Sequence, residues 1–67
     1  MNVICTVVIL LSNNNRDVVD LRGIVVRESG DNFIVDFSDE FIKRKYSTDL
    51  QPMVQKINGN ACLFTQE

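Results

Sequence analysis

The feature that most constrains the fold is a pair of β-branched and aromatic runs around a short polar connector. The runs are residues 24–26 and 33–37, and the connector is Ser-Gly-Asp-Asn at 29–32. Gly30 can adopt positive φ and Asp31 can hydrogen-bond to its own backbone, whereas valine, isoleucine and phenylalanine favour a pleated strand. The segment therefore predicts a β-hairpin.

Further strands are predicted on both sides of this hairpin. An apolar, β-branched run predicts a first strand over residues 2–11, and the second and third strands are predicted at 17–28 and 32–38. The apolar face of the second strand switches at Gly23, which predicts a bend or bulge there. The third strand alternates cleanly, and its core face is predicted to carry Phe33, Val35 and Phe37.

Residues 39–50 fit two patterns. Ile42, Tyr46 and Leu50 recur at helical spacing, with Ser38 as a candidate N-cap, yet Ile42, Arg44 and Tyr46 also alternate as in a strand. We interpret the segment as a strand, with a short helical or 3₁₀ turn between residues 38 and 51 as the alternative. A turn or 3₁₀ step is predicted at 47–52, since the residue before a proline is held out of the helical region.

The chain closes with two more predicted strands, at residues 53–57 and 60–64. Asn58-Gly59 between them is the strongest short signal for a two-residue type I′ hairpin. Five or six short strands must close or nearly close on themselves to cover a core. The expected fold is therefore all-β, a small five- to six-stranded antiparallel barrel, partly open, in a single domain over residues 1–67.

Length and cysteine usage indicate a small cytoplasmic protein. A domain of 67 residues buries only about 60% of the surface that its unfolded chain exposes. The apolar run at 3–11 falls short of the roughly 20 residues that a membrane-spanning helix needs, and no basic residue precedes it as in a signal peptide. Cys5 and Cys62 lack zinc-site spacing, so we expect two buried reduced thiols, with a disulfide between paired terminal strands as the alternative.

Charge and residue types weigh against catalysis and against a basic nucleic-acid face. Seven basic and nine acidic residues give a net charge of −2, and the sequence pI is about 4.9. The chain has no histidine, no nucleophile motif and no phosphate loop. We therefore expect no enzyme activity, no cofactor and no metal, and we interpret Asp36, Asp39 and Glu40 as solvated turn formers.

The basic residues concentrate in one stretch, Lys43-Arg44-Lys45, next to Tyr46. Together with Arg22 and Arg27 they could form a phosphate-contacting strip with one stacking ring. The preferred interpretation is an edge strand that charge protects against aggregation.

Residues 35–39, 43–46 and 50–52 resemble the pattern of SH3-like small barrels of the Tudor, KOW and Sm-like kind. The resemblance covers roughly residues 17–57 and implies a bent glycine-containing strand, a hairpin, a basic strand and a 3₁₀ step. Tudor-like members often hold methylated lysine or arginine in an aromatic cage. Here only Phe41 and Tyr46 remain for a cage once other rings fill the core, so no such cage is expected.

Three functions fit these features. The leading hypothesis is a non-enzymatic protein-binding module, a small regulator or accessory subunit of a larger protein whose identity stays open. The alternative is an RNA- or DNA-binding barrel that uses Arg22, Arg27, Lys43, Arg44, Lys45 and Tyr46. The third is a self-assembling subunit in which residues 3–11 pair across protomers of a homo-oligomer.

Overall fold

The computed structural model describes residues 1–66, which form one five-stranded sheet with a short helix and a 3₁₀ turn. In chain order the elements are β1 (Asn2–Leu10), β2 (Arg16–Ser29), β3 (Asn32–Asp36), α1 (Ser38–Arg44), β4 (Val54–Asn58), the 3₁₀ turn (Gly59–Ala61) and β5 (Cys62–Phe64). No helix among these residues is long and apolar enough to cross a bilayer.

The strands are all antiparallel and lie in the order β4-β3-β2-β1-β5. The sheet is open, with β4 and β5 as its edges, so the expected all-β, partly open class is confirmed. β2 is the longest strand and pairs with β1 along its first part and with β3 along its last part. The β2–β3 hairpin is also confirmed, because Ser29 pairs with Asn32 and Gly30 has a φ of 58°.

The irregularity in β2 lies between Val25 and Arg27, so the bend predicted at Gly23 is wrong. Gly23 stays in regular register opposite Val3. Its role is packing: a Cβ there would lie 2.4 Å from Val35 Cγ1 and 2.8 Å from the Phe37 ring. The missing side chain thus makes room for the core, and the change of face is accommodated three residues later, at Val26.

The core lies on the concave face of the sheet. The alternating residues of β1 are buried there with side chains from β2, β3, α1 and β5, namely Val3, Cys5, Val7, Ile9, Leu21, Val35, Phe37, Phe41 and Cys62. Phe33 and Phe64 meet edge to face with ring centroids 5.4 Å apart, although β2 and β1 separate their strands within the sheet. The sheet therefore curls until its two sides touch.

Residues 38–44 are helical, so the preferred strand interpretation of this segment is wrong. Phe37, not Ser38, is the N-cap, and Lys45 ends the helix in the left-handed conformation with a φ of 60°. The buried face carries Phe41, whose ring packs edge to face on Tyr46 at 5.5 Å, whereas Ile42 is 73% exposed. The helical spacing had placed Ile42 on the buried face, and contact of Phe41 with the core determines the buried face instead.

The loop after α1 is fastened to the end of β1 through Gln51. A turn covers residues 48–50, within the range predicted for it. The side-chain amide of Gln51 donates to the Ser47 carbonyl at 2.8 Å, and its Oε1 accepts the Leu10 N–H at 2.8 Å. Gln51 therefore supplies a hydrogen-bond acceptor to the end of β1 that does not pair with β5.

Asn58-Gly59 does not form the predicted type I′ hairpin, because β4 and β5 lie at opposite edges of the sheet. Asn58 instead caps the 3₁₀ turn by accepting the Asn60 N–H. The Gly59 N–H donates to the Asp31 carbonyl at 2.9 Å. The chain thus passes across the β2–β3 turn on its way from one edge to the other.

Candidate functional site

The outer, convex face of the sheet carries an unusual number of apolar side chains. Antiparallel sheets usually alternate apolar residues toward the core with polar residues toward solvent. Here aliphatic side chains between 46% and 74% exposed stand on the strands, namely Val8, Val18, Ile24, Val26, Val54 and Leu63. We call this set the outer apolar face.

Cross-strand register shows how the outer apolar face is organised. Val8 and Val18 lie directly opposite each other, and Leu63 lies opposite Ile4. Between these two pairs the Thr6 hydroxyl donates to Asp20 Oδ1 at 2.7 Å. The face therefore has apolar groups at both ends of β1 with one polar bridge between them.

The free side of β4 is a second unpartnered feature. The Phe37 N–H donates to the Met53 carbonyl at 2.8 Å. The backbone N–H and C=O groups of the odd-numbered residues in this segment therefore point toward β3. By alternation, the N–H and C=O groups of Val54, Lys56 and Asn58 point away from the sheet. No strand within residues 1–66 pairs with that side, so we call it the β4 edge.

Two cations lie in one row beside the β4 edge. Arg27 is opposite Ile34, and Ile34 is opposite Lys56. Strands are about 4.8 Å apart, so the row spans about 10 Å. Both cations are exposed, and neither forms an ion pair within the described part of the chain.

The six residues predicted for nucleic-acid contact do not form one strip. Lys43 and Arg44 lie in the last turn of α1 and Lys45 is its C-cap, so the protected edge strand predicted there is wrong. Arg22 and Lys43 line one cleft, while Arg27 lies beyond the bulge in β2. Arg44 reaches the Tyr46 hydroxyl and the Asp20 carbonyl, both at 3.4 Å, and is engaged within the protein. The lysine that stands on an edge strand is instead Lys56.

Glu40 fastens α1 to the part of β2 that does not pair with β3. Its carboxylate is almost fully buried, accepts the Arg22 backbone N–H at 3.0 Å and pairs with Arg44 at 3.5 Å. A buried carboxylate without such partners would be costly. The interpretation of Glu40 as a solvated turn former is therefore wrong. Asp36 fits a turn role better, since it accepts from the Ser38 N–H at 2.9 Å and from the Ser38 hydroxyl.

The cleft beside α1 has a volume of about 280 Å³ and mixed charge. Arg22 and Lys43 face it together with Asp36, Asp39 and Glu40. The hydrogen bond from the Ser38 side chain lowers the pKa of Asp36, so this carboxylate stays ionised at neutral pH. Because cations and carboxylates are interleaved, the cleft offers no strong field of one sign to a charged ligand.

Cys5 and Cys62 are free, buried thiols directly opposite each other on β1 and β5. This agrees with the expectation of two reduced cysteines on paired terminal strands. Burial, with the hydrogen bond that the Cys5 thiol makes to Cys62 as the second cause, raises the pKa of Cys5 to about 12. The thiolate is the reactive form, so Cys5 is a poor nucleophile at neutral pH.

Sequence reasoning missed the residues that now stand out, Val54, Lys56 and Leu63. Val54 and Lys56 alternate with the half-buried Gln55 and Ile57. That alternation was visible in the predicted strand 53–57 and would have identified its outward face. It could not identify an edge, because edge position depends on where the chain goes after Asn58.

Comparisons with known proteins add no function to these features. The chain matches no protein-family model, no curated protein and no solved structure. Within residues 1–66 no group of three or more histidine, cysteine, aspartate or glutamate side chains could hold a metal ion. The outer apolar face and the β4 edge are therefore the surfaces from which a function is inferred.

Proposed function

We propose that the chain is a non-enzymatic protein-binding module, a small regulator or accessory subunit that docks on a larger protein. The observation that carries this proposal is the outer apolar face, with six aliphatic side chains exposed on one small sheet. Aliphatic groups gain little from nucleic acid but are buried readily against the apolar surface of another protein. The partner is therefore a protein with an apolar surface of its own.

Two further features support a binding module rather than an enzyme. The cleft beside α1 interleaves opposite charges, and its buried carboxylate Glu40 is already hydrogen-bonded. The thiol of Cys5 is buried and held protonated. Reduced thiols are also in keeping with a cytoplasmic location, which forms part of the proposal.

The strand order supports the proposed likeness to SH3-like small barrels, many of which are binding modules. A meander whose last strand returns to β1 after a 3₁₀ turn has that general arrangement. Two details depart from the pattern: the segment taken for a basic strand is α1, and the 3₁₀ turn lies at Gly59–Ala61 instead of 50–52. The likeness therefore supports an architecture and leaves the partner to be found by experiment.

The experiment is affinity capture with the full chain and surface variants. Val8→Lys and Leu63→Lys place a charge in the outer apolar face, and Ile42→Lys is the matched control because Ile42 is an equally exposed aliphatic residue on α1. We expect one stoichiometric protein partner that is retained by Ile42→Lys and lost by the other two variants. Circular dichroism checks that all three are folded.

Recovery of nucleic acid alone, or a partner retained equally by all variants, would contradict the proposal.

The nucleic-acid alternative has a separate test. Lys43→Glu combined with Lys45→Glu would abolish salt-dependent oligonucleotide binding if these residues contacted phosphates. We expect no such binding at low salt, because Arg44 is engaged within the protein and carboxylates surround Arg22 and Lys43.

A further inference from the structure

We infer that the β4 edge accepts an extended segment of the partner protein as a sixth strand, and that this segment carries an acidic residue opposite Lys56. The inference rests on the proposed function and adds to it the surface and the chemistry of the bound segment. Strand addition of this kind takes affinity from main-chain hydrogen bonds and specificity from alternate side chains.

The backbone of β4 is ready for a new strand. Val54, Lys56 and Asn58 each direct an N–H and a C=O group outward, over the whole length of the strand. The opposite side of β4 is held by β3 over five residue pairs, from Asn32 with Asn58 to Asp36 with Val54. The edge is therefore a preformed template, and no rearrangement of the sheet is needed.

The charges beside the edge select what binds. The row Arg27, Ile34, Lys56 ends at the β4 edge, and neither cation has an ion-pair partner within residues 1–66. A residue placed opposite Lys56 would continue this row at a Cβ separation of about 5 Å. A carboxylate there is attracted by both cations, whereas a cation is repelled. The neighbouring position opposite Val54 favours an apolar side chain.

A second copy of the chain is a poorer occupant of the same edge. Two antiparallel copies of β4 paired over their full length would place Lys56 directly opposite Lys56 of the other copy. Like charges directly opposite each other destabilise a strand pair, and a lysine at the middle of an edge strand is a common defence against such pairing. The charge pattern therefore favours a different, acidic strand.

The test uses two seven-residue peptides with blocked ends. Both alternate threonine and valine, and the central residue is glutamate in one and lysine in the other, so that it faces the same side as the valines. Nuclear magnetic resonance titration should show shifts confined to β3 and β4 and slower exchange of the Val54, Lys56 and Asn58 amides. We expect the glutamate peptide to bind about fivefold more tightly than the lysine peptide.

Three variants make the result decisive. Lys56→Glu should reverse the preference between the two peptides, and Lys43→Glu, the same charge change on α1, should leave it unaltered. Lys56→Pro removes an outward N–H while the bonds to β3 are made by its neighbours, so it should fold and lose both peptides. Equal binding of both peptides, or binding that survives Lys56→Pro, would overturn the inference.

The outcomes separate this inference from the proposed function. A captured partner that Leu63→Lys loses and Lys56→Pro retains would keep the binding module and overturn the edge inference. Peptide binding with the expected preference but without any captured protein would support the edge and contradict the proposed function. A dimer in sedimentation that Lys56→Pro abolishes would identify a second copy as the occupant and overturn the inference.

Discussion

The two edges of the sheet are protected in different ways. On the β1 side, β5 covers Val3 to Cys5, Thr65 donates to the Asn2 carbonyl at 2.9 Å and Gln51 accepts the Leu10 N–H. On the β4 side, nothing within residues 1–66 pairs with the outward backbone groups, and Lys56 stands at the middle. The β1–β5 side, which we call the closed edge, is covered in part by the chain itself, and the β4 edge is guarded by a single charge.

This contrast separates the part of the sheet that stabilises the fold from the part that we propose pairs with a partner. The closed edge contains buried residues and specific side-chain hydrogen bonds, so changes there should alter the free energy of unfolding. The open edge packs little against the core on its outer side, so changes there should alter association instead. The four predictions below test that division, beginning with the largest effect.

Substitution of one residue by aspartate should have very different effects on stability at the two edges. Cys62→Asp puts an unpaired charge at a buried position of the closed edge and should cost about 3 kcal/mol or more, enough to unfold a marginal domain. Val54→Asp, at a position 46% exposed, should cost less than about 1 kcal/mol. Urea denaturation followed by circular dichroism measures both, and similar losses would contradict the comparison.

Alkaline pH should weaken the closed edge through Cys5. The pKa of this thiol rises from 9.0 to about 12 on folding, so the unfolded chain loses its proton first as the pH increases. Its contribution to stability is therefore complete below pH 9 and is lost between about pH 9 and 12, by up to about 1.4 kcal/mol per pH unit.

The measurement is the melting temperature of the protein between pH 8 and 10.5. Cys5→Ala should remove most of the slope, although it starts from a lower stability because of the small cavity that it leaves. An equal slope in the protein and in this variant would show that other groups cause the alkaline loss.

Gln51→Ala should open the end of the closed edge. The substitution leaves the Leu10 N–H without its acceptor and should cost about 1–2 kcal/mol, since the amide is only partly buried. Hydrogen exchange of the Leu10 amide should accelerate more than that of any amide in β3. Gln55→Ala, which removes a bond to the Pro52 carbonyl on the exposed surface, is the matched control and should cost less.

Lys56→Val should change stability least and association most. Lys56 is exposed, so the free energy of unfolding should stay within about 0.5 kcal/mol of the original value. Without the charge, the β4 edge should pair with other copies, and light scattering should show concentration-dependent association. A variant that stays monomeric at high concentration would show that Lys56 is not what prevents the β4 edges of two copies from pairing.

The sequence predicted the central part of the fold because local patterns there agree with the tertiary structure. The apolar, β-branched run identified β1, alternation identified the buried face of β3, and Gly30 identified the β2–β3 turn. The prediction from sequence failed where tertiary contacts determine the local structure. Helix α1 is fixed by burial of Phe41 and by the bonds of Glu40 to β2, neither of which spacing alone reveals. Likewise, Asn58-Gly59 has hairpin chemistry, yet the Asp31 carbonyl takes the Gly59 N–H and the chain crosses over.

The candidate site was less predictable than the fold. The basic residues 43–45 were visible as a cluster, but a helix distributes them around its axis and attaches Arg44 to Glu40 and Asp20. The β4 edge depends on the order of strands in space, which no local pattern of residues 53–57 contains.

The bulge near Val26 has a consequence for the charge that the protein surface carries beside β4. Before it, even-numbered residues of β2 point outward; after it, Arg27 shares the outward row of Ile34, and Glu28 pairs with Phe33. Had β2 continued in the register of Ile24 with Asp36 and Val25 with Val35, Val26 would stand opposite Ile34, and Arg27 would pair with Phe33 and leave the outward row. A single additional amino acid thus determines whether one cation or two stand in the row that ends at Lys56.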